Sequence, residues 1–412
     1  MASPRRGRTR DPLLSGSPIG AALAAIGLVV VAALTVTLFT GRVPLELAAP
    51  GVADAPAAPG PASASQAGPA APTPVPSVAA NPSARFPGSL VFAKAGDLWI
   101  EHGSHVMRLT STGEDSMPAW SPDGTWIYYI ETRTTHGRYP SIDGVENYTL
   151  DYPVLMRIHP DGTGRTQLLS GLFTASGGQY TFFSWYRQPA VSPDGRTIAL
   201  VSDAPDPAQA NVVLQVLDIA TMRLTRVPVP DSSPLGQQDP VWRPDGGAIA
   251  YVQNGGNSLN GAAQIMVYDL ATHTAHPVGP TGYANPSWSP DGRYLAATHI
   301  GFYSTDVVIL DAATGRVVLD VTQDGRSWNP VWSPAGNEIV YMHLQGETTD
   351  LRLVDLSGTA PHWKVVPQPD LTHNSGLDSA SRPAWYVPAG GTVGGTVGGT
   401  MGGGTMGASP AP

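Results

Sequence analysis

The chain has no cysteine among its 412 residues and only two lysines, Lys94 and Lys364. The first absence excludes disulfides and lipid attachment through an N-terminal Cys, so an exported domain of this composition is held by packing alone. The second, together with a formal net charge of −9, excludes the basic footprint of a nucleic-acid-binding protein. Also missing are a Gly-x-Ser-x-Gly elbow, a P-loop and a dinucleotide glycine pattern in a strand–turn–helix context. Nothing therefore marks a serine hydrolase, an NTPase or a nicotinamide enzyme.

Charge is missing locally as well, from Ile19 to Thr40. Those 22 residues make about 33 Å of helix, which matches the hydrocarbon thickness of a bilayer. A cleaved signal peptide has a shorter apolar stretch, about 7–15 residues. Both small-x-small sites that follow, Leu47-Ala48-Ala49 and Ala53-Asp54-Ala55, precede a proline. An uncleaved signal anchor over 19–40 is expected. Arg5, Arg6, Arg8 and Arg10 before it, against Arg42 just after, put the basic tail 1–18 in the cytoplasm and the rest outside, in the periplasm or extracellular space. Residues 48–85 are almost all Ala, Pro, Ser and Gly, and 41–85 read as a disordered tether; 389–412 read as a Gly-rich disordered tail. Residues 86–388 remain to fold.

That region repeats itself: PAWSPDGTWIYYI from Pro118, PAVSPDGRTIALV from Pro189, PVWRPDGGAIAYV from Pro240, PSWSPDGRYLAAT from Pro286, PVWSPAGNEIVYM from Pro330 and a truncated PAWYVP from Pro383. Most copies lie about 45–50 residues apart, the period of a propeller blade of four strands. Pro-x-Trp-Ser reads as a short inner strand, Ser-Pro-Asp-Gly as a type I turn, and the apolar run after it as a strand buried between blades. The aspartates of the turns, Asp123, Asp194, Asp245 and Asp291, read as backbone-binding turn residues. Before the first copy, LVFAKAGDLWIEHGSHVMRLT from Leu90 supplies three strands without an inner one. The truncated copy supplies that strand, so the expectation is an all-β, six-bladed propeller over 86–388, closed by a C-terminal inner strand in which Pro383 to Val387 pairs with Leu90 to Lys94, and preceded by one transmembrane helix.

The Pro-x-Trp-Ser-Pro-Asp-Gly repeats resemble those of the TolB-like, WD-related six-bladed β-propellers, and they run through nearly all of 86–388. What the resemblance implies is the propeller architecture. The α/β domain that precedes the propeller in TolB has no match in this sequence, where the Pro/Ala tether takes that place.

Three sets of residues are candidates for function. The residues before the motif prolines, Met117, Gln188, Asp239, Asn285, Asn329 and Arg382, are expected to ring the channel mouth. The second blade carries two insertions, from Glu131 and from Gly171, crowded with Tyr139, Tyr148, Tyr180, Phe183, Trp185, Tyr186, Arg138 and Arg187. Aromatic and Arg content is shared by protein interfaces and sugar platforms, and equally by loops that pack on each other as a satellite core. Gln253, His299 and His343, on three consecutive blades, could hold a divalent metal with Asp239; oligogalacturonate lyases, which are similar propellers, use a His/Gln metal site. The expected function is a protein- or envelope-polymer-binding scaffold, without cofactor and more in keeping with a binding protein than an enzyme. The alternative is a metal-assisted polysaccharide lyase or hydrolase at the channel mouth.

Overall fold

Among the described residues, twenty-four strands form six antiparallel sheets of four, and two more form a separate hairpin. The computed structural model describes residues 78, 81 and 85–388, apart from 142–143, 206–210, 230–235 and 256–262. The expected cytoplasmic tail, signal anchor, most of the tether and the Gly-rich tail lie outside the described residues. Among these, no helix is long and apolar enough to cross a membrane.

Blade 1 contains β1 (Ser89–Lys94), β2 (Asp97–His102) and β3 (His105–Arg108), and blade 2 contains β4 (Asp115–Trp120), β5 (Ile127–Ser141), β6 (Gly144–Ile158) and β7 (Thr166–Ser170). The hairpin of β8 (Leu172–Ala175) and β9 (Tyr180–Phe183) follows. Blade 3 is β10 (Arg187–Val191), β11 (Thr197–Ser202), β12 (Val213–Asp218) and β13 (Arg223–Arg226). Blade 4 is β14 (Gln237–Trp242), β15 (Ala248–Gln253), β16 (Gln264–Asp269) and β17 (Thr274–Pro277). Blade 5 is β18 (Tyr283–Trp288), β19 (Tyr294–Ile300), β20 (Thr305–Asp311) and β21 (Val317–Asp320). Blade 6 is β22 (Ser327–Trp332), β23 (Glu338–Gln345), β24 (Thr348–Ser357) and β25 (Lys364–Pro367). The last strand, β26 (Ala384–Tyr386), returns to blade 1 and completes it in the order β26-β1-β2-β3. The closure is as expected and shorter: Ser89, Leu90 and Val91 pair with Tyr386, Trp385 and Ala384.

Alternation on the second and third strands makes both faces of each sheet apolar, so each blade is buried on two sides. The core is accordingly six clusters, one per seam; the seam between blades 6 and 1 joins Val340, Met342, Leu351 and Leu353 to Leu90, Phe92, Trp99 and Trp385. The motif tryptophans sew the inner strands together: Trp120, Trp242 and Trp288 donate through Nε1 to Ala384, Ala190 and Val241 carbonyls of the preceding blade. Trp332 instead donates to the Gly336 carbonyl of its own turn. The turn aspartates act as expected; Asp123 Oδ1 accepts from Ser121 Oγ (2.5 Å) and from the Thr125 N–H (3.0 Å).

The propeller unit begins earlier than composition suggests. Asn81, inside the expected tether, donates from its backbone N–H to Leu371 O (3.2 Å) and from Nδ2 to Asp370 O (2.7 Å). Val78 packs against the seam between blades 6 and 1. Two residues with a bond and an apolar contact are enough to dock, and they are invisible in an averaged composition.

That seam also holds an unusual carboxyl. Glu101 pairs with Leu90 and Val106, is fully buried on the same strand face as Trp99, and neither of its oxygens has a hydrogen-bond partner; nor does Trp99 Nε1. Burial raises its pKa from 4.5 to about 8. Below pH 4.5 the group is neutral folded or unfolded; between 4.5 and 8 only the unfolded chain ionises it, and stability falls as pH rises. By pH 7 the loss is on the order of 3 kcal/mol. Glu101→Gln is expected to be more stable than the parent by up to about 3 kcal/mol at pH 7, with a gap that shrinks toward pH 4.5. Urea melts at several pH values check this; a gap independent of pH would contradict it.

Candidate functional site

One face of the ring carries both the hairpins between second and third strands and the connections from blade to blade. Within a blade, backbone bonds tie the segment entering the inner strand to the root of the second-to-third-strand hairpin, as in Thr132 N–H to Glu114 O (2.8 Å), Ile300 N–H to Gly282 O (2.7 Å) and Leu344 N–H to Arg326 O (3.0 Å). All three sets of candidate residues belong to this face or to the channel beneath it.

The channel ring is built by a repeated backbone fault. In β4, β10, β14, β18 and β22 the pairing with the next strand shifts register at the residue before the motif proline. At that position Met117, Gln188, Asp239, Asn285 and Asn329 adopt left-handed φ of 55°, 54°, 53°, 51° and 51°. Proline donates no ladder bond and the bulge accommodates it. Asn and Asp tolerate this region; Met and Gln do so at greater cost. The sixth member, Arg382, precedes β26 and lies outside the left-handed set.

The ring is hydrogen-bonded from blade to blade. Gln188 Nε2 donates to Asp239 Oδ1 (2.6 Å), the Asp239 N–H donates to Gln188 Oε1 (3.0 Å), and Asn285 Nδ2 donates to Asp239 Oδ2 (2.8 Å). Met117 N–H donates to Ser381 Oγ (2.8 Å), and Asn329 Nδ2 reaches Ser379 O (3.4 Å). Arg382 crosses to blades 5 and 6, where its Nη2 donates to the Pro286 and Pro330 carbonyls. Burial pushes the Asp239 carboxyl above its ordinary range, against the pull of Arg382, Arg187 and the Asn285 bond. Burial likewise lowers the pKa of Arg187 and Arg382, with Asp239 opposing. Together the inner strands enclose a cavity of about 420 Å³.

The proposed metal ligands have separate partners. His343 is buried against Ser327 Oγ (3.1 Å) and Asp324 Oδ2 (3.3 Å), while His299 is exposed and lies on the Tyr283 ring, centroids 5.1 Å apart. Gln253 keeps its Oε1 buried without a partner, and Asp239 is held by the amides of Gln188 and Asn285. Among the described residues no group of three or more His, Cys, Asp or Glu could hold a metal ion.

The second-blade insertions are more ordered than loops. β5 and β6 stay paired from Ile127↔Ile158 to Ser141↔Gly144 without a register shift, so about ten residues per strand, roughly 33 Å, continue beyond Glu131. The β8–β9 hairpin packs on this arm; Tyr148 Oη donates to Thr181 O, and a Cβ on Gly137 would lie 2.8 Å from Thr181 Cβ and 2.9 Å from Leu150 Cδ2. The aromatics largely meet each other: Tyr139 with Tyr148 (5.1 Å), Tyr180 with Phe182 (6.4 Å) and Phe183 with Trp185 (5.1 Å), while Tyr186 is buried under blade 3. Arg138, Asn147 and Trp185 remain exposed on the arm and at its root.

Sequence reasoning missed the most exposed aromatics among the described residues. Phe302 and Tyr303, 87% and 91% exposed, occupy the tip of the β19–β20 turn, closed by Gly301 N–H to Ser304 O (2.8 Å). Such positions usually take Gly, Asn, Asp or Pro. The available signal was an aromatic pair where turn chemistry was due, in the stretch HIGFYST.

A six-bladed propeller with a polar ring at its channel mouth is the class of protein these features define. Residues 179–385, half of the chain, match the family model of the TolB beta propeller domain, and the chain belongs to that family. Among solved structures it is similar to TolB from Acinetobacter baumannii, with 20% identity, a TM-score of 0.52, and coverage of 73% of this chain and 67% of that one. It is similar also to a putative TolB from Agrobacterium tumefaciens (15%, TM-score 0.48, 74% and 98% covered) and to an oligogalacturonate lyase in complex with manganese (15%, 0.43, 68% and 76%). Identities this low establish the fold alone. No functionally curated protein matches the chain.

Because Gly137 is where the β8–β9 hairpin touches the arm, Gly137→Val is expected to separate them at a cost of about 1–3 kcal/mol. Limited proteolysis should then cut at residues 176–179 well before the blades; unchanged resistance there would show that the contact does not hold the hairpin.

Proposed function

We propose that this chain is a membrane-tethered, extracytoplasmic propeller that serves as a protein-binding scaffold through its loop-bearing face, an envelope polymer being the other partner class in view. Membership of the TolB propeller family supports a binding role. The observation that carries the reading is the arm: a hairpin of two 15-residue strands stiffened by a second hairpin, at a site where the fold needs only a turn. The internal aromatics make it rigid, which lowers the ordering cost of binding. Its exposed Arg138 and Trp185, with Phe302 and Tyr303 on blade 5 across the ring, are the residue types that anchor interfaces. The uncharged run at 19–40 and the arginines before it support the tether and its orientation.

Two experiments test this. A photo-crosslinking residue at Arg138 or Phe302, introduced into the full chain in its native membrane, should yield a defined protein adduct, whereas the same residue at Thr221 on the opposite face should not. Equal yields from both faces, or none, would refute the face assignment. Since the chain has no cysteine, single cysteines replacing Ser3 and Thr135 report topology. An impermeant maleimide should label Thr135→Cys in intact cells and leave Ser3→Cys unlabelled until lysis; the reverse pattern would refute the orientation.

A further inference from the structure

We propose that the cleft between blades 3 and 4, on the face opposite the arm, binds a neutral oligosaccharide, with the Trp242 indole as the floor on which a sugar ring lies. The inference goes beyond the scaffold reading and is independent of it. Most seams are plugged beside the motif position. Three motif tryptophans are covered by a second ring: Trp120 by Tyr386 (5.2 Å), Trp332 by Trp363 (5.7 Å) and Trp385 by Phe86 (6.1 Å). Between blades 2 and 3 the motif residue is Val191, and Trp126, stacked on His159 (3.7 Å), packs against the seam. Trp288 has no ring upon it among the described residues and is buried. Trp242 has none either, yet it is only half-buried and lines a cleft of about 1040 Å³. One position of the repeat opens this seam. Where SPDGRY sets Tyr294 against Trp363 between blades 5 and 6, SPDGRT supplies Thr197, which lines the cleft.

The rim selects the ligand. Asp194, Asp218 and Asp245 each spend Oδ1 on their own turns and leave Oδ2 without a hydrogen bond among the described residues. Bonds from Ser192, Thr221 and Arg243 hold the three carboxyls below their ordinary range, so they stay ionised acceptors. Arg223 stands opposite Asp218 in the strand pair, and Arg243 bridges to Asp245 (2.8 Å). Charges of both signs therefore border the cleft, and neither a basic nor an acidic peptide suits it. What suits ionised acceptors above an indole is a ring with hydroxyl groups at its edge and C–H groups on its faces, which is a sugar. The volume stands at the upper end of the usual range for small-molecule sites, as an oligomer requires.

The probes are cellotriose and chitotriose, neutral trisaccharides with flat apolar faces, followed by saturation-transfer-difference NMR with the full-length protein in a detergent that has no sugar headgroup. At least one should show transfer, strongest at its ring C–H protons. Thr197→Tyr rebuilds the plug that blade 5 carries and is expected to abolish the transfer. The larger ring suits the strand pair, since Tyr294 stands opposite Asp311 as Thr197 stands opposite Asp218. Asp218→Asn is expected to weaken binding severalfold and Trp242→Ala about tenfold or more. If Trp242→Ala fails to fold for want of its bond to Ala190, Thr197→Tyr and Asp218→Asn still decide. No transfer to either trisaccharide would overturn the proposal, and so would transfer unchanged by Thr197→Tyr, which would put the sugar on another surface. Manganese binding that Asp218→Asn abolishes, with no sugar bound, would overturn it in favour of a cation site.

Discussion

Everything in this molecule rests on closure of the ring without a covalent bond. Blade 1 has no inner strand of its own until the far end of the domain returns, and without that strand β1 shows water an open edge and the face of Leu90 and Phe92. Only three residue pairs join β26 to β1, so the strand does not carry the closure alone. Trp385 donates to Pro87 O (2.7 Å) and meets Phe86 edge-on, and the Asp378 carboxylate accepts from the Ala95 and Gly96 N–H groups (both 2.9 Å). Lys94 reaches Ser375 O and Trp328 reaches Ser379 O. The connection from residue 375 to 382 therefore ties blades 1, 2, 5 and 6 across one face, and β26 is the last stitch of a longer seam.

Closure also explains the ring of left-handed residues. Inner strands that converge on a narrow channel cannot keep a regular pleat over their whole length, and the proline of each motif removes one ladder donor. The chain resolves both constraints with a bulge that turns one residue per blade out of register. Five side chains are thereby placed at one level, where they bond across blades, and blade 1 takes its counterpart, Arg382, from the returning segment. A feature forced by geometry becomes the polar centre of the molecule.

Function on such a scaffold belongs to departures from the repeat. The second blade departs by extending two strands into an arm and bracing it with a hairpin; the fifth departs by carrying Phe302 and Tyr303 on a turn that has no structural use for them. The aromatics of the arm show why content alone is a weak guide, because rings that look available in the sequence are mostly in contact with one another. Rigidity of the platform, with a few exposed residues upon it, is what they contribute.

Blade number, blade order and the role of PAWYVP were legible in the sequence, because turn chemistry and strand alternation are local and recur with each copy. The residues before the motif prolines could be counted for the same reason. What they do could not: the Gln188–Asp239–Asn285 chain joins residues about fifty apart, and its bonds exist only once blades 3, 4 and 5 have packed side by side. Gln253, His299 and His343 share a register yet have separate partners, since register sets height along the channel and leaves side-chain direction to the neighbours. The unpartnered Glu101, which looks like one more polar strand residue, is defined by what the sixth blade lays against it. Local sequence thus determined the parts and their order. Tertiary structure decided which polar groups meet, which are stranded and which aromatics remain exposed, because each depends on packing between blades distant in the chain.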